Sequence, residues 1–229
     1  VDTDTLLVAS ETGLDLFDLR NGKSNRVTEL EADTPHTRSN DGRADPWGGF
    51  WIGTMGKGAE PGAGTIWRYW RGEVRKLYAP LTIPNAISFT PDRRFAHFAD
   101  SATAKVWRVA LDTREGWPAS PPELYLDLGP DGLTPDGAVC DAKGNLWLAE
   151  WGAGRVACHA PDGRLIQTVP VGGHHSSCPA FGGHNLRTLF VTSARQGLSP
   201  QTLADTPSNG CTFACKVEAT GLAEHRVVL

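Results

Sequence analysis

One strand-rich unit recurs five times along the chain, and a repeat of this length restricts the fold more than any other feature. Short β-forming runs that end in a small or polar residue occur at Leu6–Ser10, Phe50–Thr54, Phe95–Ala99, Leu146–Glu150 and Leu189–Ser193. Their starts lie 44, 45, 51 and 43 residues apart, close to the period of a four-stranded propeller blade, about 40 to 50 residues. A second run, alternating or rich in β-branched and aromatic residues, follows each: Leu14–Asp18, Thr65–Trp70, Lys105–Ala110, Arg155–His159 and Thr212–Val217. Turn pairs such as Asn21-Gly22, Arg71-Gly72 and Asp162-Gly163 come next and lead to a third strand, for example Leu165–Val169. Pro91–Arg93 and Asp141–Asn145 precede the first run of their units. No stretch of useful length carries a helical period.

The expected fold is therefore all-β, a β-propeller of four-stranded antiparallel blades; a sandwich would show less regular self-similarity. About five blades are visible, the first clipped at its front edge. A propeller must close or leave edge strands exposed. The ring is either five-bladed, or six-bladed with its first blade upstream of Val1, and a chain that starts at Val1 favours six. The expectation is a single propeller domain over residues 1–229 that lacks most of its first blade.

Composition excludes several classes. Forty per cent hydrophobic and 21% charged residues describe an ordered chain. A net charge of −4, with acids and bases interspersed, gives no track for nucleic acid. No apolar run reaches transmembrane length, so no membrane is expected as a partner. The five cysteines (Cys140, Cys158, Cys178, Cys211, Cys215) form no CxxC pair. They read as buried or half-buried reduced thiols, which points to a reducing compartment, the cytoplasm.

The segment about ten residues before each recurring run starts a blade's innermost strand, where side chains from different blades converge on a central channel. Asn40, Asn85 and Asp136 each precede their run by ten residues. A carboxylate and amide oxygens suit a hard divalent cation such as Ca²⁺ or Mg²⁺. Asp41-Gly42 and Asp136-Gly137, taken singly, read better as turn formers. Asn85-Ala86 is a poor turn pair, and the shared offset favours a site.

Arg38-Ser39-Asn40-Asp41-Gly42-Arg43-Ala44-Asp45-Pro46 followed by Phe50-Trp51-Ile52-Gly53-Thr54-Met55 resembles the RxNDGxxDPxGxxWxGTM signature of the regucalcin (senescence marker protein)/gluconolactonase family. Thr82–Asn85, Phe89–Asp92, Pro135–Gly137 with Asp141 and Gly144–Ala149, and Cys178–Gly183 match its later motifs in order. The resemblance, from about Leu6 to the end, implies a six-bladed propeller with one divalent metal (Ca²⁺, Zn²⁺, Mg²⁺ or Mn²⁺) in its channel and hydrolysis of sugar lactones. It makes Asn85 and Asp136 metal ligands, with Asp136 also catalytic, and gives Arg38 and Asn40 to the substrate, a small-molecule sugar lactone. Its third ligand is a Glu in a Gly-Glu-Gly-Pro segment of the first blade, expected upstream of Val1; Glu11, in a blade hairpin, has the wrong context. The resemblance leaves a non-catalytic calcium-binding propeller as the alternative, and the RxNDG signature argues against a strictosidine-synthase-like or paraoxonase-like enzyme.

Other polar residues have plainer readings. His174-His175 reads as a surface or rim pair, and His97 as core or inter-blade packing. Glu150-Trp151 and Asp100-Ser101 end their runs and should contact the next strand's turn. Lys57 and Glu60 lie in a loop over residues 56–64 that could cover the channel mouth. Trp51, Trp67, Trp107 and Trp147 fall at strand positions suited to packing between blades.

Overall fold

The computed structural model of the chain describes residues 3–229. Five sheets follow one another along these residues, each an up-and-down run of consecutive strands. The first sheet holds β1 (Thr5–Ala9), β2 (Gly13–Asp18) and β3 (Ser24–Glu29). The second holds β4 (Thr37–Ala44), β5 (Phe50–Gly56), β6 (Gly64–Trp70) and β7 (Glu73–Leu81). The third holds β8 (Pro84–Phe89), β9 (Phe95–Asp100), β10 (Lys105–Ala110) and β11 (Glu123–Asp127). The fourth holds β12 (Thr134–Cys140), β13 (Leu146–Trp151), β14 (Arg155–His159) and β15 (Leu165–Pro170). The fifth holds β16 (His175–Gly182), β17 (Thr188–Ala194) and β18 (Thr212–Lys216). This is an all-β propeller chain of five blades. The recurring runs are β1, β5, β9, β13 and β17, and the second runs are β2, β6, β10, β14 and β18.

The first sheet has three strands, in line with a blade clipped at its front edge. Two details differ from expectation. The last sheet also has three strands rather than four. A six-residue helix, α1 (Pro200–Asp205), interrupts the fifth sheet, where Ser199 caps it by accepting from Thr202 N. Six residues are too few to display a periodic face in sequence. The Arg71-Gly72 turn matches its reading: both residues take positive φ, 52° and 81°, as a two-residue hairpin loop requires.

The chain forms two compact units. One comprises residues 1–84, 114–118 and 224–229, and the other residues 85–113 and 119–223. In the first, Leu14, Tyr69 and Val227 form a core with Leu7, Val27, Phe50 and Val74 packed against it. In the second, β13 lies between two cores. Leu146 and Leu148 face Ala86, Val106 and Leu126, while Trp147 and Ala149 face Val156, Leu189 and Val191. Successive side chains point to opposite faces of a strand, so a strand buried on both faces reads as an unbroken apolar run. Each fully buried Leu or Val contributes roughly 1.5–3 kcal/mol.

An aspartate organises the hairpin between first and second strands in one blade of each unit. Asp45 Oδ1 accepts from Trp47 N (2.8 Å) and Gly49 N (2.9 Å), and its Oδ2 accepts from Arg68 Nε at 2.7 Å. Both side chains are essentially inaccessible to water. Arg68 also donates to Glu115 O (2.7 Å), and its guanidinium lies 4.3 Å from the Trp117 ring centre. Gly49 permits this approach, because a Cβ there would sit 2.4 Å from Asp45 Oδ2. Asp141 repeats the device, accepting from Lys143 N, Asn145 N, Asn145 Nδ2 and Trp147 Nε1 at 2.8–3.1 Å.

His97 is buried and packs 4.8 Å from the Tyr125 ring, with Nδ1 3.9 Å from Cys140 Sγ of the next blade, which is the packing role read from sequence. Trp147 packs edge-on against Phe181 of the following blade, whereas Trp107 stacks on Phe98 of its own. All five cysteines are free; Cys140 and Cys158 are buried, but Cys211, expected at least half-buried, is exposed. Burial pushes the Cys158 thiol up to about 12.

Replacing Arg68 by Met leaves a buried carboxylate without its counter-ion. The expected loss is about 3–5 kcal/mol, read as a lower urea midpoint. Burial first, and the nearby Arg108 charge second, lower the His97 pKa from 6.5 to about 3. Folded His97 thus stays neutral where the unfolded chain takes up a proton. Its stabilisation is complete above pH 6.5 and is lost as pH falls from there toward 3, by up to about 1.4 kcal/mol per pH unit. Urea midpoints measured across this window should fall less steeply for His97→Phe than for the wild type.

Candidate functional site

The inner strands β4, β12 and β16 share one irregularity. In β4, Ser39 pairs Thr54 and Gly42 pairs Ile52, so Asn40 and Asp41 stand opposite Gly53 alone. In β12, Pro135 pairs Glu150 and Ala138 pairs Leu148, so Asp136 and Gly137 stand opposite Ala149. In β16, Ser176 pairs Ser193 and Cys178 pairs Thr192, so Ser177 is the extra residue. Each is a bulge, which frees a side chain from the ladder and re-aims it. In β8 the corresponding disturbance is Ala86, next to Asn85, with φ of 57°. A left-handed alanine is strained, and such strain concentrates at functional positions.

Asn40, Asn85, Asp136 and Ser177 are thus structural equivalents. The first three match the ten-residue offset; Ser177 lies twelve before Leu189. The cause is one further ladder pair, Gly182 with Thr188, beyond Phe181 and Leu189; the turn it closes spans five residues, as do those closed by Ala44 with Phe50 and Cys140 with Leu146. Counting back from the bulge rather than from the run would have found it.

In the first unit, Arg38 Nη1 donates to Ser39 O (2.9 Å) and Asn40 Oδ1 (3.0 Å). Asn40 Nδ2 donates to Pro84 O at 3.0 Å. Both amide atoms of Asn40 are therefore engaged, one of them by Arg38. Lys57, in the 56–64 loop, pairs with Glu11 of the β1–β2 hairpin at 2.7 Å. Glu60 Oε2 accepts from Gly58 N at 3.1 Å, which folds the loop on itself.

In the second unit, Asn85 is buried and its Nδ2 donates to Ser101 Oγ (2.8 Å). Ser101 Oγ in turn donates to Pro135 O (2.5 Å), the residue before Asp136. Ser101 begins a single 3-10 turn after β9, held by Asp100 accepting from Ala102 N. This hydroxyl ties the two inner strands together beside their irregularities, a case of the run end meeting the next strand's turn. With its amide N–H directed at Ser101, the Asn85 side chain presents its oxygen elsewhere. Asp136 is half-buried. Pro84 and Pro135 occupy matching positions, where an N–H next to an irregular ladder would be hard to satisfy.

Glu150 is buried and ion-paired to Arg155, and Ser176 Oγ donates to Glu150 O (2.9 Å). His175 opens β16 and stacks on Trp151 with 4.2 Å between ring centres; burial lowers its pKa. His174 N donates to Asn209 Oδ1 at 2.8 Å. Among the described residues, no group of three or more His, Cys, Asp or Glu side chains comes together as a metal cluster. Asn85 and Asp136 offer one amide oxygen and one carboxylate, donors of the type a hard cation takes. Replacing Ser101 by Ala removes the link between Asn85 and Pro135. The expected cost is about 1–3 kcal/mol, read as a lower urea midpoint.

Residues 1–195 match the family model described as the SMP-30/Gluconolactonase/LRE-like region. An L-arabinolactonase of Azospirillum brasilense is 39% identical over 230 residues, covering 98% of this chain and 75% of that protein. A 6-deoxy-6-sulfogluconolactonase of Pseudomonas putida is 35% identical over 219 residues, covering 95% of this chain and 75% of that one. The crystal structure of a calcium-binding protein, regucalcin, from Agrobacterium tumefaciens strain C58 superposes with a TM-score of 0.97 at 41% identity, over 100% of this chain and 78% of that one. The bulged inner strands, the motif order and these likenesses agree: the chain belongs to the SMP-30/gluconolactonase/LRE-like family.

Proposed function

We propose that this chain hydrolyses sugar lactones, opening an aldonolactone to its aldonic acid, with one divalent metal at Asn85 and Asp136. The observation that supports the reading is the Asn85–Ser101–Pro135 connection, which ties the Asn85 amide to the backbone carbonyl just before Asp136 on the next inner strand. The relatives named as lactonases support the substrate class. The reading includes a six-bladed propeller in one domain, with a third ligand, a glutamate, supplied by a blade upstream of Val1. A reducing cytoplasmic compartment suits its free thiols.

A divalent cation bound there supplies polarisation of the lactone carbonyl. Asn85 and Asp136 would hold it through oxygen. The Asp136 carboxylate also orients the attacking water and accepts its proton. The new C–O bond forms at the carbonyl carbon, the ring C–O bond breaks, and the proton passes to the departing ring oxygen. Arg38 directs its remaining donors at substrate hydroxyls or the carbonyl oxygen; a fixed, forked cation suits such a ligand. Asn40, bonded to Arg38 and to the Pro84 carbonyl, holds that guanidinium in place and lines the pocket.

A second reading, a calcium-binding propeller without turnover, is favoured by the regucalcin likeness alone. The two are separated by proton release from a panel of aldonolactones, with and without EDTA, using this chain and one extended by the upstream blade. Lactonase activity that EDTA abolishes, and that falls by at least about 100-fold in Asp136→Ala, supports the first. Calcium binding with no turnover of any lactone supports the second, and full activity of Asp136→Ala removes the assignment of that residue.

A further inference from the structure

The β8–β9 and β12–β13 turns lie at the far ends of their strands from Asn85 and Asp136, about 15 Å away at the rise of a strand. Between them, bordered also by Pro161 of the β14–β15 turn, is a cavity of about 350 Å³, within the size range of small-molecule sites. Its charged lining is Arg94, Arg108, Lys143 and Asp92, with His97 in the wall. Three cations against one carboxylate is a local excess of positive charge in a chain whose net charge is −4.

The fold offsets this excess only in part: Glu123 pairs with Arg108, and the Arg94 charge acts on Asp92. Among the described residues, neither Arg94 nor Lys143 makes an ion pair. Asp92 Oδ1 is occupied by Thr90 Oγ1 (2.6 Å) and Arg94 N (3.0 Å). Arg108 Nη1 donates to Pro161 O at 2.9 Å, and the Glu123 carboxylate stands 3.7 Å from its Nη2. The Arg94 and Arg108 guanidiniums lie 5.5 and 4.8 Å from the centre of the same Phe95 ring. That places two like charges around one aromatic wall, and an anion relieves their repulsion. His97, kept neutral by burial, adds no further positive charge.

We propose that this cavity binds a small phosphate monoester, its dianionic head on Arg94 and Lys143 with Arg108 behind, and its carbon skeleton against Phe95, Pro91 and Pro161. Guanidinium and ammonium groups are the usual partners of phosphate oxygens. The cavity volume and its ring-lined walls favour an ester over the bare ion. The assignment stands apart from the lactone reading, since it uses other residues at the other end of the strands.

The test is calorimetric titration of glycerol phosphate, inorganic phosphate and sodium chloride into the chain at constant ionic strength. The ester should bind more tightly than inorganic phosphate, and chloride should give no saturable heat. Arg94→Gln with Lys143→Gln should weaken the ester at least about tenfold, given the strength of hydrogen bonds to charged groups. The urea midpoint of this double variant should not fall, because neither side chain has an ion-pair partner among the described residues and removing Arg94 lessens its repulsion with Arg108. Ester binding should also move the His97 imidazole resonances. Equal affinity in the double variant, or no saturable ester binding, would overturn the site; equal affinity for inorganic phosphate would overturn the ester assignment.

Discussion

The hairpin joining a blade's inner strand to its second strand must satisfy several backbone amides away from water, and in two blades one aspartate does so. Asp45 accepts two backbone N–H groups and the Arg68 guanidinium; Asp141 accepts two backbone N–H groups, an amide and an indole. A buried charge is tolerable only when its lone pairs are used in this way. The hairpins fix where the inner and second strands meet, and the ladder carries that register up to the bulges. The position of Asp136 within its blade therefore depends on a carboxylate at the opposite end of the strand.

Between hairpin and bulge, each inner strand is ordinary antiparallel ladder, buried on both faces in β12 and only partly covered in β4 and β16. At the bulge the ladder yields, and the residues there are held by side chains instead. Ser101 does this for Asn85 and the Pro135 carbonyl, and Asn40 for Arg38 and the Pro84 carbonyl. Two proline carbonyls at matching positions thus each receive one side-chain donor. The repeat extends beyond strands to the polar contacts that support the candidate site.

Much of this was legible in the sequence because the blade period and the ten-residue offset are set by strand and turn lengths, which vary little between repeats. Asn40, Asn85 and Asp136 were visible for that reason, and Ser177 was not, because its ladder runs one pair further before the turn. The unbroken apolar runs located the second strands but could not reveal that β13 serves two cores. In the sequence Ser101 is distinguished only as a run end. Its role depends on a contact with Pro135, thirty-four residues away, and no local pattern encodes that. The three-stranded last sheet and helix α1 escaped for a related reason: a missing strand or a single short helix leaves too few residues to establish a period.

The bulges also separate what a blade must keep from what it can change. A residue in the ladder answers to its cross-strand partner and to the cores on either side, so its identity is constrained by packing. A bulged residue answers to neither. The four equivalent positions here are Asn40, Asn85, Asp136 and Ser177, two amides, a carboxylate and a hydroxyl on one scaffold. Chemistry at these positions can diverge from blade to blade while strand register stays the same, so a single repeated unit supplies an asymmetric set of polar groups from nearly symmetric parts.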